Sequence, residues 1–152
     1  MSQKVSNYLS ALEVISDKRL SSSTKKAAMD MVKNYFSKNA TLEELFPSRK
    51  YIMTYNVNEY LSDLYEMNYV WVELKFALPK IKFIKEDEMI YHFIVDFDQH
   101  LKCLDEKRNI VHQNHTIKNM EIDVYQLEGS FNPKIEFKRV NILETSEKGK
   151  KP

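Results

Sequence analysis

Residues Met89 to Leu104 read MIYHFIVDFDQHLKCL, the longest alternating stretch in the chain. Met89, Tyr91, Phe93, Val95 and Phe97 share one parity, and Ile90, His92, Ile94, Asp96 and Asp98 the other. Successive side chains of a strand point to opposite faces, so this spacing predicts a strand with one apolar and one mixed face. The residues before it are expected to cover the apolar face, and the residues after it to extend the sheet.

Toward the C-terminus, a turn at Asp105 to Asn109 leads to a second strand. There Met120, Ile122 and Val124 take one face, with Glu121, Asp123 and Tyr125 on the other. The polar run His112 to His115 reads as a bulge or an edge. Gly129 to Pro133 has the composition of a turn. Ile135, Phe137, Val140 and Ile142 predict a last strand whose register slips between Phe137 and Val140, the mark of a bulge. Toward the N-terminus, Val70, Val72, Leu74, Phe76 and Leu78 alternate inward against Trp71, Glu73 and Lys75 outward. Pro79 imposes a bend, and Ile81 and Phe83 resume the pattern.

The first third reads as helical. Val5, Tyr8, Leu9, Leu12 and Ile15 make one amphipathic stripe. Ser21 to Ser23 offer caps for a second helix, which carries Ala28, Met31, Val32, Tyr35 and Phe36. Asn39-Ala40 breaks that helix, and Thr41 to Phe46 predicts a short helical turn stopped before Pro47. Lys50 to Tyr55 is a short strand. Asn56, with Glu59 three residues on, forms the capping-box pattern of a third helix striped by Val57, Tyr60, Leu61 and Leu64. Residues 1–143 are thus expected to form one α+β domain, and the charged tail 144–152 to be disordered.

Composition removes several functions. Lys+Arg 23 against Asp+Glu 22, a net charge of +1, gives no basic excess suited to nucleic acid. Two glycines cannot write a glycine-rich phosphate loop. The one cysteine, Cys103, has the apolar parity of the long strand and reads as a buried thiol. No run approaches the ~20 apolar residues of a membrane span. The N-terminus MSQKVSNYL has no signal-peptide core. The expected location is therefore cytoplasmic, or exported and periplasmic if a signal peptide has been removed and replaced by the initial Met.

Three helices followed by four strands, with a short strand before the third helix, is a specific order. AAMDMVKNYFSKNATLEELF (27–46) looks like a first long helix, a break and a short helical turn. KYIMTYNVNEYLSDLYEMN (50–68) looks like a first strand and its following helix, and NPKIEFKRVNIL (132–143) like a closing strand. In these pieces the chain resembles the nuclear-transport-factor-two-like (SnoaL-like) superfamily, the cystatin-like cone, and within it small exported bacterial members without an assigned reaction. The resemblance spans about residues 22–143 and leaves Val5 to Lys18 as an extra helix. It implies N-terminal helices packed on a curved, mainly antiparallel sheet of four to six strands, with a cone whose mouth can hold a ligand. Some members of that superfamily are isomerases, dehydratases or cyclases, many only bind or scaffold, and many pair through the outside of the sheet. The fold by itself therefore leaves function open.

The cone-lining parity, Val70 to Phe76, Tyr91 to Phe97, Met120 to Val124 and Ile135 to Phe137, holds no acid and no base. Asp96, Asp98, His92, Glu121 and Asp123 fall on the outer face. This predicts no catalytic residue and a non-enzymatic binding or interaction module, with Tyr35, Tyr60, Tyr91, Phe93 and Phe97 around a small apolar ligand. The alternative is an isomerase, dehydratase or cyclase in which a bulge turns Asp98 or His100 into the cone beside Tyr91. No cofactor is expected. No metal site is expected either, because His112 and His115 lack a third ligand and Asp96 and Asp98 lack a glycine-turned oxygen loop. Trp71, Ile90, Ile94 and Tyr125 carry large apolar side chains at outer parity. They predict a homodimer through the outer sheet face.

Overall fold

A computed structural model describes residues 1–129 and 131–146. In it the alternating stretch forms β5 (Ile90–Leu104), which pairs along its whole length with β6 (Ile110–Tyr125). Ahead of them come α1 (Ser2–Ser16), α2 (Ser22–Lys33), β1 (Phe36–Glu44), β2 (Met53–Tyr55), α3 (Val57–Tyr65), β3 (Trp71–Phe76) and β4 (Lys80–Asp87). β7 (Lys134–Thr145) closes the chain. The sheet has seven strands in the order β2-β1-β7-β6-β5-β3, with β4 also paired to β5. All neighbours are antiparallel except β1 and β7. The result is an α+β fold of three helices on a curved mixed sheet, one strand more than the sequence suggests.

Local signals set most boundaries. Ser21 Oγ accepts the Thr24 backbone N–H at 3.3 Å, starting α2. Asn56 Oδ1 accepts from Glu59 N at 2.8 Å while Asn56 N donates to Glu59 Oε1 at 3.4 Å, completing the capping box. Pro79 splits the edge of the sheet: β3 ends with Phe76 opposite Gln99, and β4 begins with Lys80 opposite Asp96. The slip expected in β7 falls at Lys138, since Glu121 faces Arg139 and Ile122 faces Phe137.

Three local expectations are overturned, and a fourth, at His112 to His115, is half right. Thr41 to Glu44 is not a helical turn but the end of β1, and α2 stops at Lys33. The propensity of ATLEE for helix loses to the strand hydrogen bonds that β1 makes with β2 on one side and β7 on the other. His112 to His115 pairs with β5 on one side and lies beyond the β7 pairing, which begins at Thr116, so it is an edge as expected; the bulge sits just before it, at Val111. Val70 and Leu78 are exposed, since β3 covers only Trp71 to Phe76 and both lie beyond its ends. Of the charged tail, Glu144 and Thr145 belong to β7 and pair with Ile117 and Thr116, and 147–152 lie outside the described residues.

The N-terminal helix, expected as an addition to the fold, is central to it. α1 buries Val5, Tyr8, Leu9, Ala11, Leu12 and Ile15 on the concave face, and Tyr8 meets Phe36 and Phe137 edge-on at 5.4 and 5.6 Å. α3 adds Tyr60, Leu61 and Leu64, whereas α2 buries only Lys25 and Val32. Under this cover β5 and β6 bury alternate residues, Val95, Phe97, Gln99, Leu101 and Cys103 against Asn114, Thr116, Lys118, Met120 and Ile122. The thiol of Cys103 is pushed up to about 11 by burial. Residues 90–94 are less covered, and Tyr91 and Phe93 there are only half-buried.

Candidate active site in the cone

The inner face of β6 has two halves. Met120, Ile122 and Val124 are apolar, while His112, Asn114, Thr116 and Lys118 are polar at the same parity. Lys118 is 1% exposed. Its Nζ donates to Glu44 Oε1 at 2.8 Å and to Gln99 Oε1 at 2.9 Å. Glu44 arrives from β1, where Ala40, Leu42 and Glu44 turn inward, and is 3% exposed. Its Oε1 also accepts from Gln99 Nε2 and from the Tyr60 hydroxyl, both at 3.1 Å. Its Oε2 accepts from Gln99 Nε2 at 3.3 Å and from Leu45 N at 3.2 Å.

A buried ion pair persists only where hydrogen bonds take up its remaining lone pairs and protons. This one has them. The Tyr60 phenol is driven well above its usual value, first by burial and then by the Glu44 charge, so it stays protonated and donates. Tyr8 is shifted the same way by the same two causes. Among the described residues, the buried side-chain atoms His112 Nε2, Asn114 Oδ1 and Thr116 Oγ1 have no partner. Buried polar atoms are nearly always paired, with protein or with something bound. Thr116 faces Gln99 across the ladder and Asn114 Nδ2 donates to Leu45 O at 3.4 Å, so these two bring unused hydrogen-bonding capacity to the edge of the cluster.

A recess of about 410 Å³ lies between the loop after β1 and the end of α3, lined by Phe46, Arg49, Asp63 and Met67 among others. Phe46 is buried, and its ring sits 5.4 Å from Tyr55 and 5.6 Å from Tyr60. One aromatic ring therefore touches both this recess and the tyrosine that holds Glu44.

The expectation of a cone face without acid or base is wrong, and Glu44 and Lys118 overturn it. Gln99 and Lys118 carry on the parity of Phe97 and Met120, so extending each alternation by one step finds them. Glu44 gave no such signal, because its segment reads as helix. Asp98 and His100 point outward, as alternation without a bulge requires, so the enzyme alternative cannot use them in the cone.

The five residues expected around a ligand do not meet. Tyr60 is in the cluster, and Phe97 is buried opposite Lys118 and against Phe76 at 5.9 Å. Tyr91 and Phe93 pack on Phe83 at 6.5 and 5.6 Å. Tyr35 packs on Phe137 at 5.6 Å. The four outer-face residues do not form one patch either. Ile90 pairs with Tyr125 at one end of the ladder, and Trp71 faces Leu104 at the other with the Arg108 guanidinium 4.8 Å from its ring. The His92–Asp123 hydrogen bond (2.6 Å) and the Lys82–Asp96 ion pair (2.8 Å) lie between.

No family profile and no curated protein matches the sequence. Solved structures do match the shape. A protein described as a candidate scytalone dehydratase from Novosphingobium aromaticivorans superposes with a TM-score of 0.54 at 11% identity, over 95% of this chain and 82% of that one. The hexachlorocyclohexane dehydrochlorinase LinA gives 0.49 at 11% identity, over 95% and 86%. A protein from Kribbella flavida gives 0.46 at 8% identity, over 95% and 92%. The fold is the nuclear-transport-factor-two-like cone. Coverage of 95% is too high to leave α1 outside the shared architecture.

Proposed function

We propose that this chain is an acid–base enzyme of the dehydratase or isomerase kind, acting on a small polar molecule inside the cone. One observation carries the reading: a carboxylate, an ammonium and a phenol meet within 3.1 Å in a sealed cone, beside buried polar atoms that lack partners. Such a group is suited to eliminating water from a β-hydroxy carbonyl compound. Glu44 takes the proton from the carbon next to the carbonyl. The electron pair left behind forms the new double bond as the C–O bond breaks, and Tyr60 gives its proton to the departing hydroxide, which leaves as water. The Lys118 ammonium faces the charge that develops on the carbonyl oxygen. The name of the N. aromaticivorans protein agrees with this class of reaction. Entry requires the Phe46 ring to swing aside and Gln99 to release the carboxylate.

A binding module without turnover is the second reading. It is favoured by the fact that both Glu44 oxygens already accept hydrogen bonds. Nuclear magnetic resonance separates the two readings. A panel of β-hydroxy ketones is incubated with the chain in deuterated water, and loss of water and exchange at the α-carbon are followed. Turnover by the wild type that drops by about 100-fold in Tyr60→Phe, with the melting temperature kept, supports the enzyme. Amide shifts without dehydration or exchange support the module. A Tyr60→Phe variant at full rate removes the tyrosine from the chemistry.

A further inference from the structure

Behind Gln99 and Thr116, on the opposite face of the same two strands, Asp98, His100 and His115 come together. Asp98 and His100 are two apart on β5 and so share a face; His115 on β6 is directly opposite His100. The two imidazoles stack with centroids 4.2 Å apart and planes 7° from parallel. His115 Nε2 lies 3.3 Å from Asp98 Oδ2. One ligand-capable atom from each residue falls within 4.8 Å of the others.

We propose that Asp98, His100 and His115 form a binding site for a divalent transition-metal ion of the zinc type, distinct from the cone. Two ligand atoms held at about 2.0–2.1 Å in a tetrahedral arrangement lie about 3.3–3.4 Å apart. The Asp98–His115 separation already has that value. His100 is exposed, so its ring can leave the stack on His115 and turn a nitrogen lone pair toward the ion, closing the remaining gap. Two imidazoles and one carboxylate leave a coordination position open. A recess of about 180 Å³, lined by His100, His115 and Ser146 among others, gives that position room.

Ion preference is set by the surroundings. Lys75 on β3 faces His100 on β5, and Lys102 lies two residues on at the same parity. With Glu73 they line a second recess of about 210 Å³ beside His100. The added positive charge disfavours calcium and magnesium, which are held by charge through oxygen ligands. It disfavours less an ion held by imidazole nitrogen.

The test uses the untagged full chain after chelator treatment, titrated with Zn²⁺ alone in a calorimeter. One ion per chain is expected, weakened at least about tenfold in His100→Ala and in His115→Ala. His92→Ala is expected to bind as the wild type, since His92 pairs with Asp123 but has no third ligand among the described residues. Co²⁺ on the wild type is expected to give the strong visible absorption of a four-coordinate ion, a readout independent of how the variants fold. No Zn²⁺ uptake by the wild type, six-coordinate Co²⁺ spectra, or equal binding in wild type and both site variants would overturn the assignment.

Discussion

Removing the cationic half of the buried pair is the most demanding test of the cone interior. In Lys118→Met the alkyl stem is nearly preserved, but the Glu44 carboxylate, 3% exposed, loses its counter-ion. Stranding one partner of a buried pair costs about 3–5 kcal/mol. Domains are stable by about 5–15 kcal/mol in total, so this is a large share. For a 152-residue chain it corresponds to a melting temperature lower by about 6–20 °C. The second change, Glu44→Gln, removes the stranded charge while keeping an oxygen for Tyr60 and Gln99. The double variant Glu44→Gln, Lys118→Met is therefore expected to recover about 2 kcal/mol or more relative to Lys118→Met alone. Urea unfolding of wild type, both singles and the double, at constant slope, measures the coupling. If Lys118→Met costs less than about 1 kcal/mol, the pair is not sealed from water and the reasoning fails. Strict additivity of the two changes would refute it equally.

Three further outcomes are expected. Asn56→Ala removes the acceptor of the Glu59 N–H and half of the capping box, costing about 1 kcal/mol in urea unfolding; no change would mean that α3 does not depend on its cap. Burial raises Cys103 to about 11 and also raises Tyr8 and Tyr60. A folded-state value above the unfolded one gives stability that is intact below the unfolded value and lost as pH rises. The melting temperature should therefore hold to about pH 9, fall as Cys103 begins to count, and fall more steeply above about pH 10. A melting temperature flat to about pH 11.5 would contradict the burial of these groups. Pairing of two copies through the outer face, which the sequence suggests, is expected to rest on Ile90, Ile94 and Tyr125 without Trp71. A wild type that sediments as an 18.1 kDa species at high concentration rules it out, whereas a dimer split by Ile90→Glu, Ile94→Glu supports it.

Much of this was local, and the sequence determined it alone. Alternation along 89–104 and 120–125 set which side of β5 and β6 is covered, because the two-residue period of a strand leaves no other choice. Ser21, Asn56 and Pro79 fixed their boundaries because each acts on backbone groups within a few residues. Tertiary structure decided the rest. A helix-prone ATLEE became a strand because its hydrogen-bond partners, near Arg139 and Val140, lie about a hundred residues away and run parallel to it. That pairing carried Glu44 into the cone, where Lys118 and Gln99 were waiting with parities legible in the sequence. It was likewise the ladder register, not any spacing, that set His115 beside Asp98 and His100. Alternation assigns a residue to a face; only the register of distant strands says which other residue it meets there.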